Sequence, residues 1–175
     1  MIKKDIRNKV LGTLKAMDKK EKYQKDLALL EAMVSTSTYQ CAKVVATYLA
    51  MPTEYETALL IKQALSDGKL VLVPKTYPKG EMDFVAYDPK KLEKTSFGLL
   101  EPTSAIVVSK KDIDMIHVPG VAFNAEGFRI GYGAGYYDRY LSDYQGATIS
   151  TIYDCQQIEF QAESHDVAVQ EVLVI

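Results

Sequence analysis

The feature that most limits the fold of this chain is alternation. Runs rich in β-branched residues, "AKVVATYLAM" (42–51), "KLVLVPK" (69–75), "DMIHVPG" (114–120) and "ATISTIYD" (147–154), are spaced by helical patterns and turns, and "VQEVLVI" (169–175) closes the series. "MDFVAY" (82–87), after the turn signal "YPKG", adds another strand. Strands alternating with helices over short connections predict an α/β fold: a single layered, Rossmann-like domain over residues 1–175, with a central mostly parallel sheet flanked by helices. Ligands in such sheets bind beyond the carboxyl ends of the strands.

Ile2, Ile6, Val10, Leu11, Leu14 and Met17 recur at three- and four-residue steps, which predicts an amphipathic first helix with most of its lysines on the far side. Lys3 and Arg7, four apart, share a face and can jointly meet a phosphate chain. A second helical pattern runs from Lys20 to Met33 and is broken by "STST" (35–38). Thr53 with Glu56 three residues on is a capping-box pattern, opening a helix that ends near "SDG" (66–68). Pro74 reads as the end of its strand, and 88–104, rich in Pro, Lys and Ser, as mostly surface loop.

With 47% hydrophobic residues in 175, the chain can bury a substantial core. It contains no apolar run approaching the ~20 residues that span a bilayer, and "MIKKDIRNKV" has no signal-peptide core, so a cytoplasmic protein is expected. Cys41 and Cys155 have neither disulfide-framework nor zinc-ligand spacing. The net charge of -2 hides an asymmetry: residues 1–25 carry nine Lys and Arg against three acids. Such an arm either seeks a polyanion or forms the solvated face of a helix.

The densest cluster of unusual residues is "FRIGYGAGYYDRYL" (128–141). Gly131, Gly133 and Gly135 precede a helical pattern, so backbone N–H groups there can converge on an anion, or the glycines can simply turn a corner. Neither a Walker A loop nor a dinucleotide fingerprint is present. Arg129 and Arg139 can neutralise phosphate charge. Asp138 would repel phosphate unless a hard cation such as Mg²⁺ intervenes. Tyr136 and Tyr137 suit a ring ligand or the core equally.

"PGVAFNAEGFRIGYGAGYYDRYL" (119–141) closely resembles the signature of the 5-formyltetrahydrofolate cyclo-ligase family. "KKDIR" at the start, "YLAMPTEYET", "VPK", "FGLLEP" (97–102), "DCQQ" and "ESHD" (163–166) are similar to that family in the same order, so the resemblance spans the chain. It implies conversion of 5-formyltetrahydrofolate to 5,10-methenyltetrahydrofolate with ATP as co-substrate and Mg²⁺ as cofactor, through a phosphorylated formyl intermediate. Carried over residue by residue, Lys3, Lys4, Asp5, Ile6 and Arg7 match the segment that contacts ATP phosphates. Arg129, Ile130, Gly131, Tyr132, Gly133, Ala134, Gly135, Tyr136 and Tyr137 match the nucleotide loop. The resemblance gives Asp138 and Asp166 to the metal, and Met51, Glu56 and Tyr137 to the folate. It leaves Arg129 and Tyr137 as the catalytic pair.

Several assignments keep two readings. Glu56 binds folate or caps its helix, Lys75 faces the site or solvent, Gln156 meets the ligand or caps a loop, and His165 moves a proton or does not. His117 reads as a satisfied structural histidine in a buried strand. Asn124, where the family often has Asp, should still support its loop. The expected partners are the two small substrates, with no nucleic acid and no membrane, in a monomer or weak homodimer. A sugar-phosphate isomerase or CoA-transferase-like protein would bind phosphate esters without ATP turnover. A nucleic-acid module using the basic helix would lose affinity steeply with salt.

Overall fold

The computed structural model describes residues 2–95 and 100–175; Phe97 to Leu99 of the "FGLLEP" stretch lie outside the described residues. The chain opens with α1 (Lys3–Ala16) and α2 (Lys19–Val34). In α1 the predicted stripe is realised by Ile6, Val10 and Leu14, all buried. Asp18 separates the two helices and accepts a hydrogen bond from Glu21 N–H, capping α2. Ser35 ends α2 as expected, but Thr36 then caps a short α3 (Ser37–Cys41) by accepting from Tyr39 N–H. The same hydroxyl chemistry that stops one helix starts the next, so "STST" is a junction and not only a break.

The remaining elements are β1 (Val44–Ala46), α4 (Thr57–Ser66), β2 (Leu70–Thr76), β3 (Met82–Ala86), β4 (Leu92–Lys94), β5 (Leu100–Pro102), β6 (Met115–His117), β7 (Ala122–Phe123), β8 (Arg129–Ile130), α5 (Tyr136–Leu141), β9 (Ala147–Ile152) and β10 (Glu171–Val174). Six strands form the main sheet in the order β10-β9-β6-β1-β2-β3. Every neighbour pair is parallel except β2 with β3, so the mostly parallel, helix-flanked sheet read from the sequence is present.

Side-chain alternation feeds two cores at once. Val45, Val71 and Met115 point into the layer formed by α1, α2 and α4, while Ala46, Leu72 and Ile116, one residue on, point to the opposite layer with Phe84, Tyr140 and Leu141. This two-sided burial is why the central strands read as continuous apolar runs.

Three boundaries differ from the sequence reading. Pro74 does not end β2 but lies inside it, paired with Phe84 of β3. The neighbour on the other side, β1, has by then ended at Ala46, so the missing N–H of Pro74 costs no ladder bond there. The capping box from Thr53 does not form: Glu56 is itself the cap of α4, its carboxylate accepting from Ala58 N–H at 3.2 Å. Within 88–104, β4 and β5 pair as a small antiparallel hairpin, where loop was expected.

His117, fully buried at the end of β6, ties three strands together. Its ring nitrogens lie 2.8 Å from Thr47 Oγ1 and 2.9 Å from Thr151 Oγ1, and the rings of Tyr48 and Tyr55 pack on it. Burial lowers its pKa to about 3, so the imidazole is neutral and structural, as read from the sequence. Because the folded pKa lies below the unfolded one, protons prefer the unfolded chain between the two values, and stability is lost as pH falls. The stability advantage of the parent over His117→Asn should therefore be constant above pH 6.5 and shrink by about 1.4 kcal/mol per pH unit below it. Urea unfolding of both proteins at pH 7 and pH 5 checks this; a gap that does not change with pH would refute the assignment.

Candidate functional site

The loop between β8 and α5 forms one wall of a cleft of about 310 Å³, lined by Lys3, Arg7, Pro119, Arg129 to Asp138, Glu163, His165 and Asp166. The cleft lies beyond the carboxyl end of β6, where an α/β sheet is expected to present its ligand site. Gly133 and Gly135 adopt φ values of 103° and 72°, which a side chain would strain, and Gly135 is the residue from which α5 starts. Gly131 is required for a different reason. A Cβ there would sit 2.8 Å from Arg129 Nη1.

Arg129 is the floor of the cleft. It is only 7% exposed, its guanidinium lies over the Tyr137 ring at 5.4 Å, and its Nη2 is 4.0 Å from Asp138 Oδ1. Its Nε has no partner among the described residues although it is buried. Burial pulls its pKa down, while Asp138, Tyr137 and Asp166 work against that shift. A guanidinium stays charged under such a load, so the cleft has a fixed cation with an unused donor. The Tyr137 hydroxyl is likewise buried without a partner, and burial pushes its pKa up.

The N-terminal arm reaches the same cleft. Arg7 Nε donates to Gly131 O at 2.7 Å, and Lys3 Nζ donates to Asp166 Oδ2 at 3.1 Å and lies 3.2 Å from Glu163 Oε1. Burial works against the Lys3 charge, but the bonds to Asp166 and Glu163 outweigh it and raise the lysine pKa. Asp166 is held down in turn: burial opposes its charge, and the Glu163 N–H and Lys3 overcome that opposition. Asp138 Oδ1 accepts from Val167 N–H at 3.2 Å, bringing the 163–167 segment against α5. Asp138, Glu163 and Asp166 therefore share one cleft with Arg129. Carboxylates are the donor type a hard cation takes when phosphate oxygens and water complete its shell.

Other predicted residues lie elsewhere. The Ile6 side chain is core, and Lys4 and Asp5 are exposed outside the cleft lining, because only every third or fourth residue of α1 can face the glycine loop. Arg139 does not line the glycine cleft. One residue past Asp138 on α5, its Nη1 donates to Lys79 O at 2.8 Å, and it lines a neighbouring cleft with Tyr77, Asp83 and Lys110. Glu56 caps α4 and borders a separate, largely apolar cleft with Leu49, Ile61 and Leu100. Lys75 donates to Ser104 O at 3.3 Å. Gln156 holds a loop, donating to Gly120 O and Val121 O, and Asn124 supports its turn by accepting from Glu126 and Phe128 N–H. His165, 67% exposed, lies 3.5 Å from Glu163 and from Asp166.

The sequence reading passed over Glu54. This carboxyl is 9% exposed, accepts from Met51 N–H at 2.8 Å, and has its pKa raised to about 7 by burial. After burial itself, it is among the charges that push up the phenol pKa values of Tyr48, Tyr132 and Tyr137. Glu54, and not Glu56, is thus the acid turned toward the tyrosines of the glycine loop. The available signal was two glutamates in one motif when a helix cap needs only one.

The fold and this cleft define a Rossmann-like α/β protein in which a glycine loop, a buried arginine and several carboxylates line one cleft. A family-level comparison narrows that class, since the model of the 5-formyltetrahydrofolate cyclo-ligase family matches residues 1–175, and the chain belongs to that family. A mouse protein named 5-formyltetrahydrofolate cyclo-ligase is 29% identical over 189 residues, covering 98% of this chain and 92% of the mouse protein. A Haemophilus influenzae protein of the same name is 29% identical over 182 residues, covering 99% and 95%. The solved structure of Aquifex aeolicus 5,10-methenyltetrahydrofolate synthetase superposes with a TM-score of 0.87 at 29% identity, over 99% of this chain and 90% of that one. A Mycoplasma pneumoniae 5,10-methenyltetrahydrofolate synthetase, 24% identical, shares the fold with a TM-score of 0.81 over 99% and 98%.

For Glu54 the sign of the pH effect is opposite to that of His117. Its folded pKa exceeds its unfolded one, so its contribution is fully present below pH 4.5 and is lost as pH rises toward 7. Glu54→Gln should gain on the parent by about 1.4 kcal/mol per pH unit across that window. Denaturant unfolding at pH 4.5 and pH 7 measures it, and equal differences at the two pH values would contradict the burial of this acid.

Proposed function

We propose that this chain converts 5-formyltetrahydrofolate to 5,10-methenyltetrahydrofolate, using ATP and releasing ADP and phosphate. The observation that carries the reading is the buried, partly unpartnered Arg129 beneath the glycine loop, in a chain of this family. In this reading the ATP phosphates lie along Gly131 to Gly135, where backbone N–H groups are free of side chains, and Lys3 and Arg7 supply charge from α1. Asp138 and Asp166 hold Mg²⁺, which neutralises phosphate charge when bound.

The chemistry needs alignment more than a protein nucleophile. The formyl oxygen attacks the γ-phosphorus, the bond to the ADP oxygen breaks, and the carbon is left bearing a phosphate. N10 then attacks that carbon and closes the ring, its proton passes to the departing phosphate, and the C–O bond to phosphate breaks, leaving the methenyl cation. Arg129 stabilises the charge on the transferring phosphoryl group from a fixed position, without reorganising during the step. Tyr137, with its unused hydroxyl between Arg129 and the Glu54 side, stands where nucleotide and folate meet. Met51 and Glu54 form the folate wall. We move the acidic folate contact from Glu56 to Glu54, because Glu56 is occupied in capping α4.

An absorbance assay for methenyltetrahydrofolate, with ATP and Mg²⁺ omitted in turn, tests the activity: product should form only in the complete mixture. Arg129→Ala should lower turnover on the order of 10²-fold, the scale of losing one preorganised charge donor. Asp138→Ala should lower it in a way that added Mg²⁺ partly restores. Gly131→Ala should mimic Arg129→Ala in part by pushing the guanidinium aside. A folded protein that yields no product in the complete mixture would rule the reading out.

A further inference from the structure

We propose that Asp26 is a positioning residue that sets the separation of the two walls of the active cleft, an inference that rests on the activity proposed above. Asp26 lies on α2, well away from the glycine loop in sequence, and is 1% exposed. Its two oxygens are used in different directions. Oδ2 accepts from Glu56 N–H at 3.3 Å, fixing the segment from Met51 to Glu56 that carries the folate-side acid Glu54. Oδ1 accepts from the Tyr153 hydroxyl at 2.5 Å.

The second arm continues to the phosphate wall. Tyr153 N–H donates to Gln156 Oε1 at 2.9 Å, and Gln156 Nε2 donates to Gly120 O at 3.2 Å and Val121 O at 3.1 Å. Val121 N–H in turn donates to Ile130 O at 2.8 Å, beside Arg129, and a Cβ on Gly120 would lie 3.3 Å from Arg129 Cδ. One carboxylate thus anchors both the loop bearing Glu54 and the loop packed on Arg129. Lys22, 2.7 Å away and one helical turn earlier on α2, pairs with it from a partly buried position, so the buried carboxylate has both oxygens committed. Removing one partner of such a pair leaves the other uncompensated, which makes the anchor stiff.

Spacing matters here because the formyl oxygen and the γ-phosphorus are bound by different walls, and small misplacements cost rate steeply. Asp26→Asn keeps the size but turns one acceptor oxygen into an NH₂ facing a donor. Tyr153→Phe cuts only the arm to the phosphate wall. At 25 °C, with folding verified by circular dichroism, Asp26→Asn should lose kcat by about tenfold or more and raise KM for both substrates. Tyr153→Phe should raise KM for ATP while leaving KM for 5-formyltetrahydrofolate within about twofold of the parent.

Calorimetric titration of parent and variants with Mg–ATP alone and with 5-formyltetrahydrofolate alone reads the same two walls without turnover. Weakened binding of both ligands in Asp26→Asn, and of Mg–ATP alone in Tyr153→Phe, supports the assignment even when Asp26→Asn turns over too slowly to measure. Lowered thermal midpoints with unchanged kcat, KM and binding would overturn it, leaving Asp26 as a stabilising residue only. Where Asp26→Asn does not fold, Tyr153→Phe decides: parent-like KM and binding for ATP overturn the proposal. A parent that binds and turns over neither substrate fails the functional reading itself, which is a different result.

Discussion

The structure is organised around a cation taken out of water. A guanidinium at the depth of Arg129 is tolerable only if its surroundings answer it, and the local sequence does so piece by piece. Tyr137 offers a π-face, Asp138 an opposite charge and Gly131 the missing volume. Since an arginine cannot shed its proton to escape burial, these three neighbours and the direction of the loop between them are all constrained by one residue. The Arg129 Nε is left, among the described residues, without a partner.

Around that cation the chain assembles two unlike walls. The glycine loop presents backbone and positive charge, with α1 adding Arg7 on Gly131 O. The opposite segment presents Glu54, a carboxyl that burial keeps close to neutrality, beneath tyrosines. In the proposed function one wall takes phosphates and the other the folate, and the parallel strands bring both toward one end of the sheet. The neutral His117 between Thr47 and Thr151 binds β1, β6 and β9 together beneath them without introducing another charge.

The sheet was legible because its central strands are buried on both faces and so write themselves as apolar runs, and the glycine loop was legible as a cleft wall because Gly131, Gly133 and Gly135 stand beside Arg129 and Asp138 in one short stretch. What stayed hidden depends on direction. Glu54 and Glu56 are two residues apart on an irregular loop, and only the fold decides which one caps α4 and which turns inward. Asp138 and Arg139 are adjacent on α5, yet one faces the cleft and the other Lys79. Pro74 reads as a strand end because a sequence cannot show that β1 has already stopped beside it. Asp26 gave no signal at all, since a lone acid on a helix rich in Lys and Glu looks like surface until Tyr153 is brought to it across 127 positions.

The ion pair between Lys3 and Asp166 joins residues 163 positions apart. Neither is part of the glycine loop, yet both border the space in front of it. During synthesis the loop at 131–135 therefore leaves the ribosome well before its acidic neighbour at 166 has been made. A nascent chain at that stage has the glycine loop and Asp138 but not Asp166, and Lys3 lacks that partner. The Lys3–Asp166 pair forms only when the segment around residue 166 folds back onto the first turn of α1.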